Sequence, residues 1–373
     1  MTLFDFFHTA ELPVPAVTSE QAESIAAEHF GLDVTAAALG SNQDANFLLR
    51  DRSGDPIAVL KIANPAFSRI ELEAQDVAAA FVAAGEGLRT ATNIELDGVP
   101  SIAQINGAAT LFARIIRFLP GGTLHGDGYL SPDQVAALGD VAGRISRALA
   151  AFDHPGVDRV LQWDPRHSLR TVETLGSHLS DAHRREAVEA AAAAAWQVVS
   201  EVGDDLPVQV IHGDITGDNV VCGNPGIPDG VIDFGDLMRS WTVGELAVTV
   251  SGVLHHEGGE PAAAIPAIRA FDAVRPLSPA EIEALWPLVV LRAAVVVVSG
   301  VHQTSIDADN VYAGERVDHE WQIFERATHY PLEVMTAQIR AALGVMHPGA
   351  AAAPEERLFD GLDPGRLTQL DLS

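Results

Sequence analysis

Cysteine is nearly absent from this sequence, which contains a single one, Cys222, among 373 residues. A lone cysteine excludes an intramolecular disulfide framework and a zinc site built from several cysteines. Its position in a β-like stretch predicts a small buried hydrophobic residue rather than a nucleophile. Such sparing use of cysteine is typical of a reducing compartment, so we expect a cytoplasmic protein.

Basic residues are also scarce. Lysine and arginine number 23 against 51 aspartates and glutamates, and the formal net charge is −28. This charge repels polyphosphate chains, so the composition argues against nucleic-acid binding. The same excess of acidic groups raises the local concentration of cations and favours a small cationic ligand.

The sequence lacks a long uninterrupted apolar run. The N-terminus, MTLFDFFHTAELPVP, has neither the basic residue nor the apolar core of a secretory signal. Residues 285–301 are apolar, but Pro287 and Arg292 interrupt them, whereas a spanning helix needs about 20 apolar residues. We therefore predict a buried helix of a globular domain and no membrane partner.

The first third of the chain alternates short β-like runs with helical segments. A capping-box pattern at Thr18 and Gln21 marks the start of the first helix. The β-like runs are short and separated by turn residues, which predicts a small antiparallel sheet. Helices are predicted over 19–30 and 66–84, strands over 34–39, 45–50, 57–63 and 110–119, and hairpins at Asp97-Gly98 and Asn106-Gly107.

The composition changes after Pro120-Gly121-Gly122, where alanine-rich amphipathic segments begin. The whole pattern predicts an α+β fold with a strand-rich N-terminal part and a mostly helical C-terminal part. Residues 346–373 have few apolar anchors, and we interpret them as a linker and tail. Helices are predicted over 132–151, 182–202, 243–255, 279–301 and 332–343, and β-like runs over 208–211, 220–222 and 231–232.

The most informative segment is HGDITGDNVV, followed closely by GVIDFGD. It places two carboxylates and an amide in turns flanked by apolar strands, which suits a polar site on a rigid scaffold. The matching chemistry is Mg²⁺-dependent phosphoryl transfer. One carboxylate accepts a hydroxyl proton, while an amide oxygen and the second carboxylate supply hard oxygen ligands to the metal.

This motif closely resembles that of the aminoglycoside phosphotransferase and choline kinase family, whose fold is protein-kinase-like. The runs GSNQDANFLLR, VLKIAN, ELEAQD, RIIRFLPGG and FDHPG followed by WD are most similar to the hydroxylysine kinase branch. The resemblance covers about residues 18–340. It implies a two-lobed molecule with a nucleotide-binding lobe over 1–119 and a helical lobe over 120–345 that carries catalysis and acceptor binding.

Carried onto this chain, the resemblance implies a role for each residue of the motif. Asp214 would be the catalytic base, and His212 would brace the catalytic loop. Asn219 and Asp233 would be Mg²⁺ ligands. The alternative is that these are ordinary turn-capping residues, which is a common role for aspartate and asparagine.

The resemblance also implies a nucleotide site for ATP or GTP. Lys61 would hold the α- and β-phosphates, oriented by a helix carboxylate for which Glu73 is the first choice and Glu71 the second. No GxxxxGK[ST] motif occurs, so a P-loop enzyme is excluded. The remaining contacts would come from Ser41 and Asn42 over the phosphates and from the backbone at Arg117 to Leu119 for the base.

The expected function is transfer of a nucleotide γ-phosphate to a hydroxyl of an amino alcohol or hydroxy-amino acid. Candidate groups for binding a cationic acceptor are Asp164, Glu245 and the acidic loop 307–309. Trp163 and Trp241 could line the same site or belong to the core. Adjacent His255 and His256 point about 100° apart on a helix, so we interpret them as structural or solvent-facing rather than metal ligands.

Other functions fit parts of the same pattern. An aminoglycoside, choline, ethanolamine or homoserine could be the acceptor instead. A non-catalytic kinase-like module docking on a partner enzyme is a further alternative, although the joint presence of Lys61, Asp214, Asn219 and Asp233 argues against it. The hydroxylysine-kinase-like branch also occurs fused to an aminotransferase-like domain, and the alanine-proline linker after Val345 would suit such a join.

Overall fold

A computed structural model describes residues 2–41, 43–107, 109–126, 128–306 and 311–345. The N-terminal part is a five-stranded antiparallel sheet in the order β1-β2-β3-β6-β5, accompanied by two helices. Its elements are α1 (Ser19–Phe30), β1 (Thr35–Leu39), β2 (Ala45–Arg50), β3 (Pro56–Ile62), α2 (Arg69–Glu86), β4 (Arg89–Thr90), β5 (Ile102–Asn106) and β6 (Thr110–Arg117).

Local signals in the sequence explain where α1 begins and ends. The Thr18 hydroxyl accepts a hydrogen bond from the Gln21 N–H, and the Gln21 side chain accepts one from the Thr18 N–H. Gly31 ends the helix in the left-handed conformation at φ 67°, which glycine adopts without the strain that a Cβ would cause. The predicted first helix is therefore confirmed at both ends.

The sheet buries one face against α1 and forms a core of its own. Alternate residues of β2 point inward, namely Ala45, Phe47 and Leu49, as a strand with one covered face requires. The β3 register sets Lys61 opposite Asn46 on one side and Arg114 on the other. This register brings a lysine to the sheet face that looks toward the rest of the molecule.

One predicted hairpin is absent. The turn at Asn106-Gly107 joins β5 to β6, as expected. Asp97-Gly98 forms a turn that joins no two strands of a hairpin, because residues 92–94 instead pair with β6 beyond the part that β5 covers, through the Ile94 N–H to the Ile115 carbonyl at 3.0 Å. β5 starts only after Pro100, which lacks a backbone donor.

The C-terminal part is mostly helical, and two small sheets lie within it. One sheet has the order β4-β10-β9-β7, and the other pairs β11 with β8. The elements are β7 (Gly122–Thr123), α3 (Pro132–Leu149), α4 (Ser168–Leu175), α5 (Ala182–Val202), β8 (Val208–Ile211), β9 (Val220–Asn224), β10 (Ile227–Val231), β11 (Met238–Trp241), α6 (Val243–Val253), α7 (Ile265–Val274), α8 (Pro279–Ile306), α9 (Val311–Ala327) and α10 (Leu332–Ala342). This distribution confirms the α+β fold class.

Helix α8 contains the apolar residues 285–301, whose composition makes them a candidate for a membrane-spanning helix. Its 28 residues are long and apolar enough to cross a bilayer, but 78% of its most apolar window is buried inside the protein. It packs against α4, α5, α6, α9 and α10. Such burial on several sides is typical of the central helix of a globular core, as the sequence predicted.

Two hydrophobic cores meet beside the small sheets. The first lies between α1 and the five-stranded sheet. The second and larger core contains the C-terminal helices together with the apolar face of α2 and the N-terminal residues Phe4 and Phe6. Since α2 packs on the larger core while β3 belongs to the sheet, the boundary between the two cores runs beside Lys61 and the loops that follow β8 and β10.

Candidate active site

A cleft of about 1000 Å³ lies between the five-stranded sheet and the helical part. Most of the site residues predicted from the sequence line it, although they come from both cores. Asn42, predicted to cover the phosphates, lies outside the described residues, as does the acidic loop 307–309. The predicted residues that line the cleft are Ser41, Lys61, Arg117, Leu119, Asp214, Asn219 and Asp233.

His212 ties together the two loops that carry the motif. Its side chain is fully buried, with Nε2 3.2 Å from the Ile232 carbonyl and Nδ1 accepting from the Asp214 N–H at 3.3 Å. Burial lowers the pKa of His212 to about 4, so the ring is neutral near pH 7 and carries its proton on Nε2, where it donates to Ile232. The histidine therefore holds the start of the loop after β8 against the first residue after β10.

Asp214 is held from two directions at the floor of the cleft. The Asn219 amide donates to its Oδ2 at 2.6 Å and to its backbone carbonyl at 3.1 Å. The Arg292 guanidinium lies 3.3 Å from its Oδ1. Burial raises the pKa of Asp214 above its ordinary value, and Asp233 and Asp218 add to this, although Arg292 and Asn219 oppose it. A carboxylate of raised pKa in a fixed orientation is suited to accepting a proton.

Asp233 occupies the left-handed backbone region, with φ 59° and ψ 77°. A non-glycine residue is strained there, and its carboxylate is held by the Gly235 N–H at 3.1 Å and by Lys61 Nζ at 2.8 Å. Burial alone would raise the pKa of Asp233, but the charge and hydrogen bond of Lys61, together with Gly235 and Arg114, bring it well below its ordinary value. The group is therefore a permanent anion at the cleft wall.

The structure does not bring Glu73 to Lys61. Glu73 is half-buried and pairs with Arg69 at 2.9 Å, one turn away on the same helix. Glu71, the second choice, is buried in the capping box of α2, where it accepts from the Ser68 N–H at 2.7 Å and from the Phe4 N–H at 3.0 Å. Neither Glu73 nor Glu71 pairs with Lys61, so the prediction that a carboxylate of α2 orients this lysine is corrected.

The physical reason lies in which face of α2 looks toward the sheet. That face presents Gln75 and Asp76, and both are taken by Arg114, whose Nη1 lies 2.6 Å from Asp76. Because Arg114 is the cross-strand neighbour of Lys61, it occupies the space between the helix and the lysine. Lys61, only 8% exposed, turns instead to Asp233.

Asp164 and Glu245 are corrected as acceptor-binding candidates. Asp164 is fully buried and accepts from the Arg166 N–H at 3.0 Å and from the Ser240 hydroxyl at 2.6 Å. Glu245, on the first turn of α6, is fully buried and accepts from the backbone N–H groups of His212 at 2.6 Å and Gly213 at 3.2 Å. Both carboxylates already accept hydrogen bonds from groups inside the protein, because each lies against a backbone segment whose N–H groups need an acceptor.

The tryptophans and histidines of the helical part divide between cleft and core. Trp163 lines the cleft, whereas Trp241 packs against Trp196 with ring centroids 6.1 Å apart. His256 has its Nδ1 2.9 Å from the Gly128 carbonyl, and His255 lies beside His319. Within the described residues no group of three histidine, cysteine or acidic side chains could hold a metal.

Sequence reasoning missed two cleft residues, Asp236 and Arg292. Asp236 is the second acid of IDFGD, and burial together with the nearby Asp214 raises its pKa. The repeated acid in IDFGD was the signal that could have found it. Arg292 interrupts an apolar run in the sequence, and an arginine in such a run needs a partner in the folded protein; Asp214 is that partner.

The oxygen groups beside Asp233 fit a magnesium ion. The Ile232 N–H donates to the Asn219 carbonyl at 2.9 Å, which sets Asn219 next to Asp233 across two adjacent loops. One carboxylate and one amide oxygen are too few for a closed protein cage, but they suit Mg²⁺, which keeps most of its coordination for water and phosphate oxygens. The residues present therefore fit the metal that the motif implies.

Comparison with known proteins decides the family. Residues 34–278, more than half of the chain, match the phosphotransferase enzyme family that includes the aminoglycoside phosphotransferases. The chain belongs to this family. It is a small-molecule phosphotransferase acting on hydroxyl acceptors, and family members use nucleoside triphosphates.

Individual relatives agree with this assignment. Hydroxylysine kinase of Mus musculus is 25% identical over 328 residues, covering 79% of this chain and 85% of its own length. The microcompartment-associated aminopropanol kinase has a TM-score of 0.66 at 16% identity, covering 86% of this chain and 99% of its own. An amicoumacin kinase in complex with AMP-PNP, Ca²⁺ and Ami has a TM-score of 0.59 at 13% identity, covering 80% of this chain and 89% of its own. The protein-kinase-like two-lobed fold is thereby confirmed.

Proposed function

We propose that this phosphotransferase moves the γ-phosphoryl group of a nucleoside triphosphate to a hydroxyl of a small amine, either an amino alcohol or a hydroxy-amino acid. The observation that carries the proposal is the convergence of Asp214, Asn219 and Asp233 with Lys61 at one cleft. Each of these groups has a defined contact that leaves it oriented toward the same space. Phosphoryl transfer depends mainly on such positioning and on compensation of phosphate charge.

The nucleotide would lie against the sheet side of the cleft. Lys61 supplies the cation for the α- and β-phosphates, and Ser41 lies in the turn above them. The Arg117 N–H already donates to the Thr92 carbonyl at 2.8 Å, so a base would use the Arg117 carbonyl and the groups that follow it, as far as Leu119. Asn219 and Asp233 would hold Mg²⁺, which when bound supplies charge compensation for the β- and γ-phosphates.

Asp214 would take the proton of the acceptor hydroxyl. The Asn219 amide holds Oδ2 and the backbone carbonyl of Asp214, so the base does not need to reorient when the acceptor arrives. As the hydroxyl oxygen forms its bond to the γ-phosphorus, the bond from that phosphorus to the β,γ-bridging oxygen breaks. The nucleoside diphosphate leaves, and the hydroxyl proton passes to Asp214.

Two observations support an amine as the acceptor. The net charge of −28 attracts cations to the molecule. The curated relative from Mus musculus is a hydroxylysine kinase, and the similar solved structure is an aminopropanol kinase. Both names describe a substrate with a hydroxyl and an amino group, although the identities of 25% and 16% leave the acceptor of this chain to experiment.

The test is a coupled assay of nucleoside diphosphate release over a panel of hydroxyl-bearing amines, with ATP and GTP, in Mg²⁺ and in EDTA. Each acceptor is matched with the same molecule lacking the hydroxyl, such as lysine for hydroxylysine. We expect Mg²⁺-dependent release with at least one amine acceptor and none above background with its deoxy partner. Better turnover with neutral sugars or simple alcohols than with every amine would refute the amine assignment.

A further inference from the structure

Arg292 is the only aspartate, glutamate, lysine or arginine between Ala284 and Ile306 of α8. The residues beside it on this helix are buried and apolar, Leu291 and Ala293 among them. A charge at such a position is costly unless it meets a partner. Its guanidinium reaches across the cleft wall, lies over the Trp163 ring at 4.7 Å and ends 3.3 Å from Asp214 Oδ1.

The guanidinium is only partly used by these contacts. Its Nη2 makes one long hydrogen bond to Asp214, and its Nη1 is buried with no hydrogen-bond partner in the described part of the chain. A buried donor without an acceptor costs free energy, so proteins seldom leave one without a reason. Arginine is moreover the side chain best shaped to grip a carboxylate with two parallel N–H groups.

A second buried polar atom on the same side of α8 also lacks a hydrogen-bond partner within the described residues. Ser299 lines the cleft, and its buried hydroxyl makes no hydrogen bond within the described residues. It lies seven residues after Arg292, which is two helical turns or about 10 Å along the axis. Val296 lines the cleft between them. This face of α8 therefore presents the guanidinium N–H donors of Arg292 close to Asp214 and the Ser299 hydroxyl farther along the helix. The apolar side chain of Val296 lies between them.

We infer that Arg292 binds a carboxylate of the acceptor, so that the substrates of this enzyme are hydroxy-amino acids rather than simple amino alcohols. The inference rests on the proposed function and narrows its acceptor class. Without an acceptor, the guanidinium rests on Asp214. When a carboxylate binds, the guanidinium turns away from Asp214 over the Trp163 ring and donates Nη1 and Nη2 to the carboxylate as a pair, and the acceptor hydroxyl then occupies the side of Asp214 that Arg292 leaves.

The test uses acceptor pairs that differ only in the carboxylate. They are hydroxylysine with 1,5-diaminopentan-2-ol, homoserine with 3-aminopropan-1-ol, and serine with ethanolamine. We expect the wild-type enzyme to favour the carboxylate-bearing member of its best pair by about 10–100-fold in kcat/KM, the range that a charged hydrogen-bonded contact supports. Arg292→Met should cost that member at least tenfold more than its partner, mainly through KM, and Arg292→Lys should fall between.

Controls separate this inference from other roles of the arginine. Arg269→Met removes an exposed arginine of α7 and should change neither ratio nor KM. An equal loss for both members of each pair in Arg292→Met, or a wild-type preference for the carboxylate-free member, would overturn the inference while leaving the kinase intact. Absence of diphosphate release with every acceptor, with or without a carboxylate, would instead overturn the proposed function.

Discussion

Asp214 is oriented by two side chains that approach it from different parts of the chain. Asn219 belongs to its own loop, whereas Arg292 comes from α8, 78 positions away. The nucleotide-side groups, Lys61 and Asp233, are paired with each other at 2.8 Å rather than with Asp214. Proton acceptance and nucleotide binding are therefore assigned to different residues, and substitution can separate them.

Replacing Asp214 by asparagine keeps the shape of the side chain and removes its ability to accept a proton. We expect kcat to fall by about 10²–10⁴-fold while the nucleotide dissociation constant stays within about threefold, because general-base contributions have that size and the nucleotide contacts lie elsewhere. Steady-state kinetics and calorimetry measure the two quantities. Asp205→Asn, at an exposed position before β8, is the matched control. Wild-type turnover in a folded Asp214→Asn enzyme would remove the assigned role.

The titration of the Glu245 carboxyl group contributes to the pH dependence of the protein's folding stability. Burial raises the pKa of Glu245 to about 7 from the ordinary value of 4.5, although the His212 and Gly213 N–H groups lower it. Between these pH values the folded state binds more protons at this site than the unfolded state does. The Glu245 contribution to stability is therefore present at low pH and is lost as the pH rises from about 4.5 to about 7.

Glu245→Gln abolishes this titration. We expect the melting temperature of the wild type, relative to that of the variant, to fall between pH 5 and pH 7.5. The neighbouring His212 titrates with the opposite sign, but it is present in both proteins and cancels in the difference. Scanning calorimetry across this range measures the effect, with Glu201→Gln on the exposed face of α5 as control. Parallel curves for the wild type and Glu245→Gln would contradict the assignment.

Helix packing depends on close approaches that only glycine permits. Gly139 of α3 lies against the backbone of Ala267 in α7, and a Cβ there would overlap the Ala267 carbonyl group. Gly85, inside α2, has open space around the same position. The two glycines are both helical and both replaceable by alanine, so they separate the effect of packing from the helix preference of alanine.

Gly139→Ala should destabilise the protein by about 1–3 kcal/mol, because two backbones must move apart. Gly85→Ala should be neutral or should stabilise by roughly 0.5–1 kcal/mol, since alanine favours the helix and meets no neighbour. Thermal or chemical denaturation of both variants beside the wild type gives the comparison. Equal stability changes in the two variants would show that the α3–α7 contact is looser than described.

Elements with strong local signals were predictable from the sequence. α1 and α5 begin at capping residues, Thr18 and Asp181, and their predicted bounds agree with the structure. Other elements carry weak local signals and depend on distant partners. α4 has eight residues, α7 carries a proline in its first turn, and β11 acquires strand character by pairing with β8 across the chain. None of the three was predicted, nor was α9.

The residues of the candidate site also fall into two groups: those that a local motif predicts and those whose contacts depend on packing between distant elements. Asp214, Asn219 and Asp233 belong to one short motif, so their spacing alone indicated that they would meet. The partner of Lys61, the burial of Glu245 and the contact of Arg292 depend on how separate elements pack. Glu73 was wrong as the lysine's partner because Arg114 fills the space beside α2, which no local pattern reveals.

At the scale of the whole molecule, the site lies where the two hydrophobic cores meet. The sheet core carries Lys61, and the larger core carries the loops after β8 and β10 together with α8. Binding both substrates requires groups from both sides. The predicted division between residues 119 and 120 and the predicted fusion to an aminotransferase-like domain remain predictions.

The overall charge gives a prediction about ionic strength. A molecule with net charge −28 attracts a cationic acceptor and repels a nucleotide, and salt screens both effects over about 10 Å at 0.1 M. We expect KM for a cationic acceptor to rise as the salt concentration increases from about 0.05 M to about 0.5 M, while KM for the nucleotide changes less or falls. A KM for the acceptor that is constant or decreasing with salt would contradict an electrostatic role for the acidic surface.

The proposed reaction joins a nucleotide phosphate to a hydroxyl of an amine in this cleft, with Asp214 as the base. The most direct measurement is phosphorus NMR of the complete reaction with nucleoside triphosphate, Mg²⁺ and hydroxylysine, or whichever amine acceptor the panel selects. We expect a phosphomonoester signal that grows in equal amount with the nucleoside diphosphate, and whose growth is strongly slowed in Asp214→Asn. Diphosphate accompanied by inorganic phosphate instead of an ester, or ester formation at the wild-type rate in Asp214→Asn, would show that this reaction or its base is wrongly assigned.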